Sequence, residues 1–177
     1  MTDQMFDALM ARLKKGDREA LREIYEDCRQ SVYMVILAIV SDREAAADVT
    51  SDFFIRLLKN AGSYRPGSGH KCWMARIARN MAVDHLRKNH REIPTDPEEM
   101  PDAAERTASS AEDEALAGLS FRELLGSLSS ARQQIVAMKI AGQMSFKEIA
   151  EVMDMPLATV SWHYQQSMER LRRAVND

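Results

Sequence analysis

The sequence predicts an all-α protein with two small helical domains joined by a flexible acidic linker, the second domain containing a helix-turn-helix. Apolar residues recur at spacings of three and four along most of the chain, which is the period of an amphipathic helix. Only 6% of the residues are aromatic, seven are Gly and five are Pro. Alternating β-branched runs, which are typical of strands, are few, so a sheet protein is not expected.

The linker is predicted at 92–114, where the composition changes. This segment holds nine acidic residues, three prolines and a single base, Arg106. Proline and charge repulsion keep such a segment extended. The whole chain has 27 acidic and 24 basic side chains, a net charge of −3, whereas the parts outside the linker keep 18 and 23, a net charge of +5. Two mildly basic domains are therefore predicted, at 1–91 and 115–177.

Four helices are predicted in the first domain. The first lies near 3–15 and ends at Gly16, and Asp17 caps the second, which continues to Val40. Ser41–Asp42 interrupts the apolar pattern and caps the third helix.

The third predicted helix has a core face and a polar face. Its core face is given by apolar residues at helical spacing: Val49, Phe53, Phe54, Leu57 and Leu58. The residues left outside are Asp48, Ser51, Asp52, Ile55, Arg56 and Lys59. A loop rich in Gly, "GSYRPGSGHKC" at 62–72, separates this helix from the fourth.

The fourth predicted helix, "WMARIARNMAVDHLRK" at 73–88, carries two stripes. The apolar stripe is Met74, Ile77, Ala78, Met81 and Ala82. The second stripe is Trp73, Arg76, Asn80, Asp84 and Arg87. Flat aromatic, amide and guanidinium groups stack on bases and bond to base edges and phosphates, which favours a nucleic-acid surface. The alternative is a solvated face on which Trp73 is half-buried against a neighbouring helix.

The second domain is predicted to end in a helix-turn-helix. Ser130 is the expected N-cap of one helix and Gly142 its C′ residue, and "SFKE" at 145–148 is a capping-box pattern that opens the next. After a tight turn at 154–156, a last helix buries Val160, Tyr164, Ser167, Met168 and Leu171. The residues expected to point outward from it are Trp162, Gln165, Gln166, Glu169 and Arg173. Two helices across so short a turn favour DNA binding.

Together these segments resemble an extracytoplasmic-function (ECF) sigma factor of bacterial RNA polymerase. The resemblance rests on "KKGDREALREIYE", "DREAAADVTSDFFIRLL", "ARIARNMAVDHLRK" and "SFKEIAEVMDMPLATV", in this order. It covers nearly the whole chain and leaves only the linker unmatched. It implies a promoter-specificity subunit with no catalytic activity, cofactor or metal of its own, whose partners are RNA polymerase core, promoter DNA and an anti-sigma protein.

The resemblance also assigns residues to roles. The surface that docks on the polymerase clamp helices corresponds to Asp48, Ser51, Asp52, Ile55 and Arg56. The part that recognises and melts the downstream, −10 element corresponds to the 62–72 loop with Trp73, Arg76, Asn80, Asp84 and Arg87. The reader of the upstream, −35 element corresponds to Ser161, Trp162, Gln165, Gln166, Arg170, Arg172 and Arg173.

The chain departs from the family pattern at two places. Ser51-Asp52 stands where the family usually has Gln-Glu, so the acid is retained on a shorter side chain. The last helix has Ser161-Trp162-His163-Tyr164-Gln165-Gln166 where the family usually carries several Arg or Lys. The second departure bears on how the upstream element is bound.

Other classes of function fit the sequence less well. A stand-alone DNA-binding regulator would need a dimer to place two half-sites, and no heptad seam for one is present. An enzyme is not expected, because neither a phosphate-binding loop nor a Ser–His–Asp context occurs. A metal site at His70, Cys72, His85 and His90 lacks C-x-x-C spacing, and redox or zinc sensing would require a reactive Cys72.

No membrane insertion is expected. The N-terminal segment has acidic residues before any apolar run, unlike a signal peptide. The longest apolar run, 32–40, has about half the length of a membrane span. The sequence therefore predicts a cytoplasmic, soluble protein.

Overall fold

The computed structural model describes residues 1–92 and 126–176, and within these ranges all regular structure is helical. The helices are α1 Asp3–Lys14, α2 Arg18–Val40, α3 Arg43–Lys59, α4 His70–Glu92, α5 Ser130–Ile140, α6 Phe146–Met153 and α7 Leu157–Asn176, with a short 3-10 turn at Ala61–Ser63. Nearly all of the predicted linker, together with residues 115–125 of the second predicted domain, lies outside the described residues. The all-α prediction is confirmed.

The starts predicted for α2 and α3 from their capping residues are confirmed. Asp17 caps α2 by accepting a hydrogen bond from Glu19 N–H at 3.0 Å, and Asp42 caps α3 by accepting one from Ala45 N–H at 2.8 Å. Ser41 ends α2 in the left-handed conformation, with φ +59°. Each cap satisfies backbone groups that have no partner within the helix.

Four details of the predicted elements are wrong. The fourth helix begins at His70 and not at 73, because Asp3 of α1 accepts its first N–H at 3.0 Å; it also continues past 88 to Glu92. Leu58 is 42% exposed and does not belong to the core face of α3, because it lies on the same side of the helix as exposed Ile55. The N-cap of α5 is Ser129 and not Ser130, since Ser129 is the residue with extended backbone.

The hydrophobic core is built around α2. This helix packs against α1, α3 and α4 of the first part of the chain and against α5 of the second. The cluster contains fully buried residues from both parts, such as Phe6 and Ile36 from the first and Met138 and Ile149 from the second. The two parts therefore pack against each other across one continuous apolar cluster.

The second part has the helix-turn-helix geometry that its sequence predicts. Ser145 and Glu148 form the capping box of α6, with bonds of 3.2 and 2.7 Å. Asp154 makes the turn into α7 with φ +53°. At the end of α5, a Cβ on Gly142 would lie 2.7 Å from the Met138 carbonyl oxygen, so this close approach requires glycine.

Candidate nucleic-acid interface

The outward face of α3 presents the residues predicted to bind polymerase. All are exposed: Asp48, Ser51, Asp52, Ile55 and Arg56. Ile55 is 52% exposed, and Leu58, close to one turn further on, adds a second exposed apolar side chain. The Ser51 hydroxyl donates to the Ala47 carbonyl at 3.0 Å and so lies against the helix. Exposed apolar groups rimmed by charges are typical of a protein-binding surface.

The loop between α3 and α4 has a buried base and an exposed tip. Tyr64 is buried at the base, and its ring packs edge-on against Phe6 of α1 with centroids 5.2 Å apart. Burial raises the pKa of Tyr64 above its usual value, so its hydroxyl remains a donor at neutral pH. Residues 65–68 are exposed, and Gly67 and Gly69 have φ of +76° and +79°. Glycine is needed at these two positions for the loop to take this path.

Helix α1 contacts this loop through both of its N-terminal carboxylates. Asp7 accepts hydrogen bonds from the Tyr64 hydroxyl at 2.5 Å and from Gly67 N–H at 3.0 Å. Asp3 accepts one from His70 N–H and contacts Nδ1 of the same buried ring. These bonds from His70 lower the pKa of Asp3. The contribution of Asp3 to stability is therefore present at neutral pH and is lost only as the pH falls through that lowered pKa.

Trp73 is half-buried, as expected under the alternative to a nucleic-acid surface, a solvated face with Trp73 packed against a neighbouring helix. Its ring centroid lies 5.0 Å from that of Tyr64 and 6.4 Å from that of Phe6, in edge-to-face contacts. The side chain therefore joins the loop base to α4 and has only part of its surface free.

The rest of the predicted α4 stripe is exposed. Asn80 projects into solvent, and Arg87 lies 3.9 Å from Asp84, a distance at which an exposed ion pair contributes little. The apolar stripe is confirmed as the buried side of the helix, with Met74, Ala78 and Ala82 in the core.

The second part of the chain lies over the N-terminal half of α4. The Arg76 guanidinium forms a 2.7 Å ion pair with Glu151 of α6. One turn away, Arg79 donates to the Gln134 side chain of α5 at 3.1 Å. Lys71 donates to the Gln143 carbonyl at 2.9 Å. Arg76 is thus held by a residue of the same chain in this arrangement.

The cysteines lack the environment of reactive thiols. Burial raises the pKa of the Cys72 thiol to about 11 and that of Cys28 to about 12. Both thiols are therefore protonated at neutral pH, whereas the thiolate is the species that reacts and binds metal. Among the described residues, no three His, Cys, Asp or Glu side chains lie close enough to hold a metal ion.

On α7 the predicted DNA-facing residues form an exposed surface. Trp162 is 52% exposed, Gln165 and Gln166 are exposed, and Ser161 is half-buried beside them. Arg170, Arg172 and Arg173 are exposed further along the helix, and Arg173 lies 2.5 Å from Glu169.

A basic residue that the sequence did not single out joins this surface from α5. The Arg132 guanidinium lies 5.4 Å from the Trp162 ring centroid, within cation–π range, and its Nε donates to His163 Nδ1 at 3.3 Å. With Gln166 and Arg170 it lines a shallow, open pocket. Only the packing of α5 on α7 brings Arg132 to this place.

The chain matches known families over both helical parts. The model of Sigma-70 region 2 matches residues 24–92, and the model of Sigma-70, region 4 matches residues 118–171. The ECF RNA polymerase sigma factor SigW of Bacillus subtilis is 22% identical over 185 residues, which cover 99% of both chains. BldN of Streptomyces coelicolor, also an ECF RNA polymerase sigma factor, is 28% identical over 173 residues, 96% of this chain and 65% of BldN. The chain belongs to the ECF sigma factors.

Solved structures share the fold of this sigma factor. RpoE from Bartonella quintana, solved with the anti-sigma factor NepR, has a TM-score of 0.71 at 17% identity, over 90% of this chain and 98% of that one. CnrH, solved with the cytosolic domain of CnrY, has a TM-score of 0.66 at 15% identity, over 97% of each chain. None of the helices in the described residues of this sigma factor could span a membrane.

The structure brings together some of the predicted site residues of this sigma factor and separates others. The exposed loop tip and the α4 stripe adjoin through Trp73, whereas α7 carries a separate surface. Sequence reasoning missed Asp3, Asp7 and Arg132. The four-residue spacing of the two aspartates places both on one face of α1, but nothing local indicated that their partners lie in the loop.

Proposed function

We propose that this sigma factor engages the transcription machinery through three separate surfaces. The α3 face binds RNA polymerase core, the loop with the α4 stripe recognises and melts the downstream promoter element, and α7 reads the upstream element. The observation that carries this proposal is the exposed loop tip, 65–68, which adjoins a helix bearing Trp73 and Asn80.

The role of α3 follows from the composition of its outward face. Ile55 provides apolar area, while Asp52 and Arg56 provide charges of both signs on the same exposed side. A helix of another protein can bury Ile55 and pair with these charges, as expected of docking on a helical clamp. The departure from the usual Gln-Glu at 51–52 keeps the acid and shortens its reach.

The melting role follows from the chemistry at the base of α4. An extruded base needs a recess with an aromatic wall and donors for its edge, and unstacking it costs a few kcal/mol. The part-exposed ring of Trp73 offers the wall, and the amide of Asn80 can donate to and accept from a base edge. The loop tip itself carries Arg65 and no acidic residue, and the nearby Asp7 carboxylate is engaged by Tyr64 and Gly67.

Reading of the upstream element is assigned to α7. Glutamine bonds bidentately to adenine in the major groove, which makes Gln165 and Gln166 candidates for base contacts. Arg170, Arg172 and Arg173 are assigned to phosphates, which position a protein on the duplex without reading its sequence. Arg132 adds positive charge beside this surface and offsets in part the low charge of residues 161–166.

An anti-sigma protein is proposed as a further partner. Two proteins of the same fold, RpoE and CnrH, were solved in complex with NepR and with the cytosolic domain of CnrY. In this chain the two helical parts already contact each other, so a partner that bridges them would add to an existing interface. We place the sigma factor in the cytoplasm with the polymerase, and we assign it no catalytic activity of its own.

The melting role is tested with Asn80→Ala in holoenzyme on a promoter selected with the wild-type chain. Loss of one bidentate base contact costs on the order of 1–3 kcal/mol, so we expect open-complex formation to fall roughly 5- to 150-fold, while initial binding to duplex changes less. Permanganate reactivity of unpaired thymines reports melting, and a filter or gel assay at low temperature reports initial binding.

The matched control is Asn89→Ala. Asn89 is also an exposed asparagine on α4 but lies nine residues on, about 180° around the helix from Asn80. Wild-type melting by the Asn89 variant is expected. If the Asn80 variant also melts the promoter like wild type, the α4 stripe is merely a solvated face.

A further inference from the structure

The hydrogen bonds that the loop between α3 and α4 makes from backbone to backbone are local, such as the one from Ser68 N–H to the Arg65 carbonyl at 3.2 Å. Two of its residues, Gly67 and Gly69, lie in the left-handed region, and its tip is exposed from 65 to 68. Glycine-rich backbone loses much conformational entropy when it is fixed in one path. A loop of this composition needs contacts from elsewhere to present a defined recess.

Helix α1 provides such contacts at the tip through Asp7. One carboxylate oxygen accepts from the buried Tyr64 hydroxyl at 2.5 Å, and the other accepts from Gly67 N–H at 3.0 Å. A single side chain thereby ties the base of the loop to its tip. Charge-assisted hydrogen bonds of this kind are stronger than those between neutral groups.

The two ends of the loop are held from α1 as well. Asp3 accepts from His70 N–H and contacts its ring, which is buried and stacked on Phe6 with centroids 4.9 Å apart. Lys14 donates to the Tyr64 carbonyl at 2.7 Å. Asp3 therefore fixes the start of α4, on which Trp73 and the polar stripe lie.

We propose that Asp7 and Asp3 of α1 are positioning residues for promoter melting, holding residues 64–70 in the shape that receives an unstacked base. This inference rests on the proposed melting role of the loop and of the α4 stripe. Both carboxylates act through the loop and not on DNA, since Asp7 uses its two oxygens on Tyr64 and Gly67 and Asp3 bonds to His70 through Oδ1. Preorganisation of this kind removes the cost of ordering the loop when the base enters.

The test compares Asp7→Ala with Asp7→Asn in the full chain bound to polymerase core. Loss of two hydrogen bonds to a carboxylate should slow open-complex formation on a duplex promoter about tenfold. On the same promoter with the downstream element already unpaired, binding should change less than threefold, since the melting step is bypassed. Asp7→Asn should restore most of the rate, because an amide can accept from Gly67 N–H and donate to the Tyr64 hydroxyl oxygen.

The control is Glu44→Ala, which removes an exposed carboxylate at the far end of α3. It should melt and bind both templates like wild type. Tyr64→Phe removes the phenol donor to Asp7 and keeps the buried ring, so it provides the test if Asp7→Ala does not fold; it should slow duplex melting two- to threefold.

Asn80→Ala, assayed in parallel, separates this inference from the proposed function. If Asn80→Ala slows melting while Asp7→Ala and Tyr64→Phe do not, the positioning role is wrong and the melting role of α4 stands. If none of the three slows melting, both are wrong. Equal losses by Asp7→Ala on duplex and on unpaired templates, with no recovery in Asp7→Asn, would reduce Asp7 to a purely structural residue.

Discussion

Helices α4 and α7 carry polar stripes of similar chemistry, but the rest of the chain contacts the stripe on α4 and leaves the stripe on α7 exposed to solvent. On α4, Trp73 packs against the loop base and Arg76 is paired with Glu151 of the second part. On α7, Gln165 and Gln166 face solvent, and Trp162 is 52% exposed. The stripe on α7 is open, whereas the N-terminal end of the α4 stripe contacts the second part of the chain.

Two kinds of contact hold the second part of the chain against α4, and they differ in strength. The polar contacts across the interface, such as Arg76 with Glu151, are exposed and so contribute little each. The apolar cluster shared by the two parts, which includes Met144 beside Val35 and Met74, excludes water and contributes more. The exposed pair of Arg76 with Glu151 can therefore open while the two parts stay packed together, whereas separating the parts requires the apolar cluster to be broken.

The largest effect is expected from Met144→Ala. Met144 is 2% exposed where the two parts meet, and removing a buried Met side chain costs about 2–5 kcal/mol. We expect the packing of the second part on α2 and α4 to weaken, so that the distance between labels on α4 and α7 lengthens in electron-resonance or fluorescence measurements. Ile140→Ala, at a side chain 46% exposed, is the control and should leave the distance unchanged. An unchanged distance in the Met144 variant would mean that the apolar contact does not hold the parts together.

Substitutions on α7 are expected to have a smaller effect, on the choice of upstream DNA sequence and on the affinity for it. Gln166→Ala should change which upstream sequences are selected from a randomised pool, by about 1–3 kcal/mol of discrimination at the affected base. Arg172→Ala should weaken all sequences alike and make the slope of log affinity against log salt shallower by about one unit. Selection at two salt concentrations distinguishes the two. Identical preferences in wild type and the glutamine variant would show that Gln166 does not read bases.

The smallest effect is expected from Glu151→Gln, which releases Arg76. Since both side chains of this pair are about half exposed, the pair contributes roughly 0.2–1 kcal/mol, so binding to an unpaired downstream element should improve less than about fivefold. The gain should vanish at high salt, which screens exposed charges. Glu169→Gln breaks another exposed Arg–Glu pair, but within α7, and should give no gain. If both variants bind the unpaired downstream element equally more tightly, the cause would be the loss of one negative charge anywhere in the protein and not the release of Arg76.

Local chemistry made most of the helices predictable from the sequence. Asp17, Asp42 and the Ser145–Glu148 capping box each bond to a residue at most three positions away. A few consecutive residues of sequence are therefore enough to predict that a helix begins there. The side of α4 that faces the core followed in the same way from the helical period, since Met74 and Ala78 repeat within it.

The features that were missed depend on partners far along the chain. Asp3 bonds to His70, which is 67 residues away, and that contact moves the start of α4 ahead of the predicted position. Arg76 and Glu151 are 75 residues apart, and Arg132 and His163 are 31 apart. Composition and period describe one element at a time, so they carry no information about which elements meet.

The central claim, that two helices of this sigma factor contact two different promoter elements, is tested most directly by site-specific photocrosslinking. A photoreactive residue is placed at position 80 on α4 or at position 166 on α7, and each holoenzyme is bound to a promoter selected with the wild-type chain. We expect position 80 to crosslink to the unpaired strand of the downstream element only after melting, and position 166 to the upstream duplex before and after melting. Crosslinks from both positions to the same element, or none from position 80 in open complexes, would contradict the account.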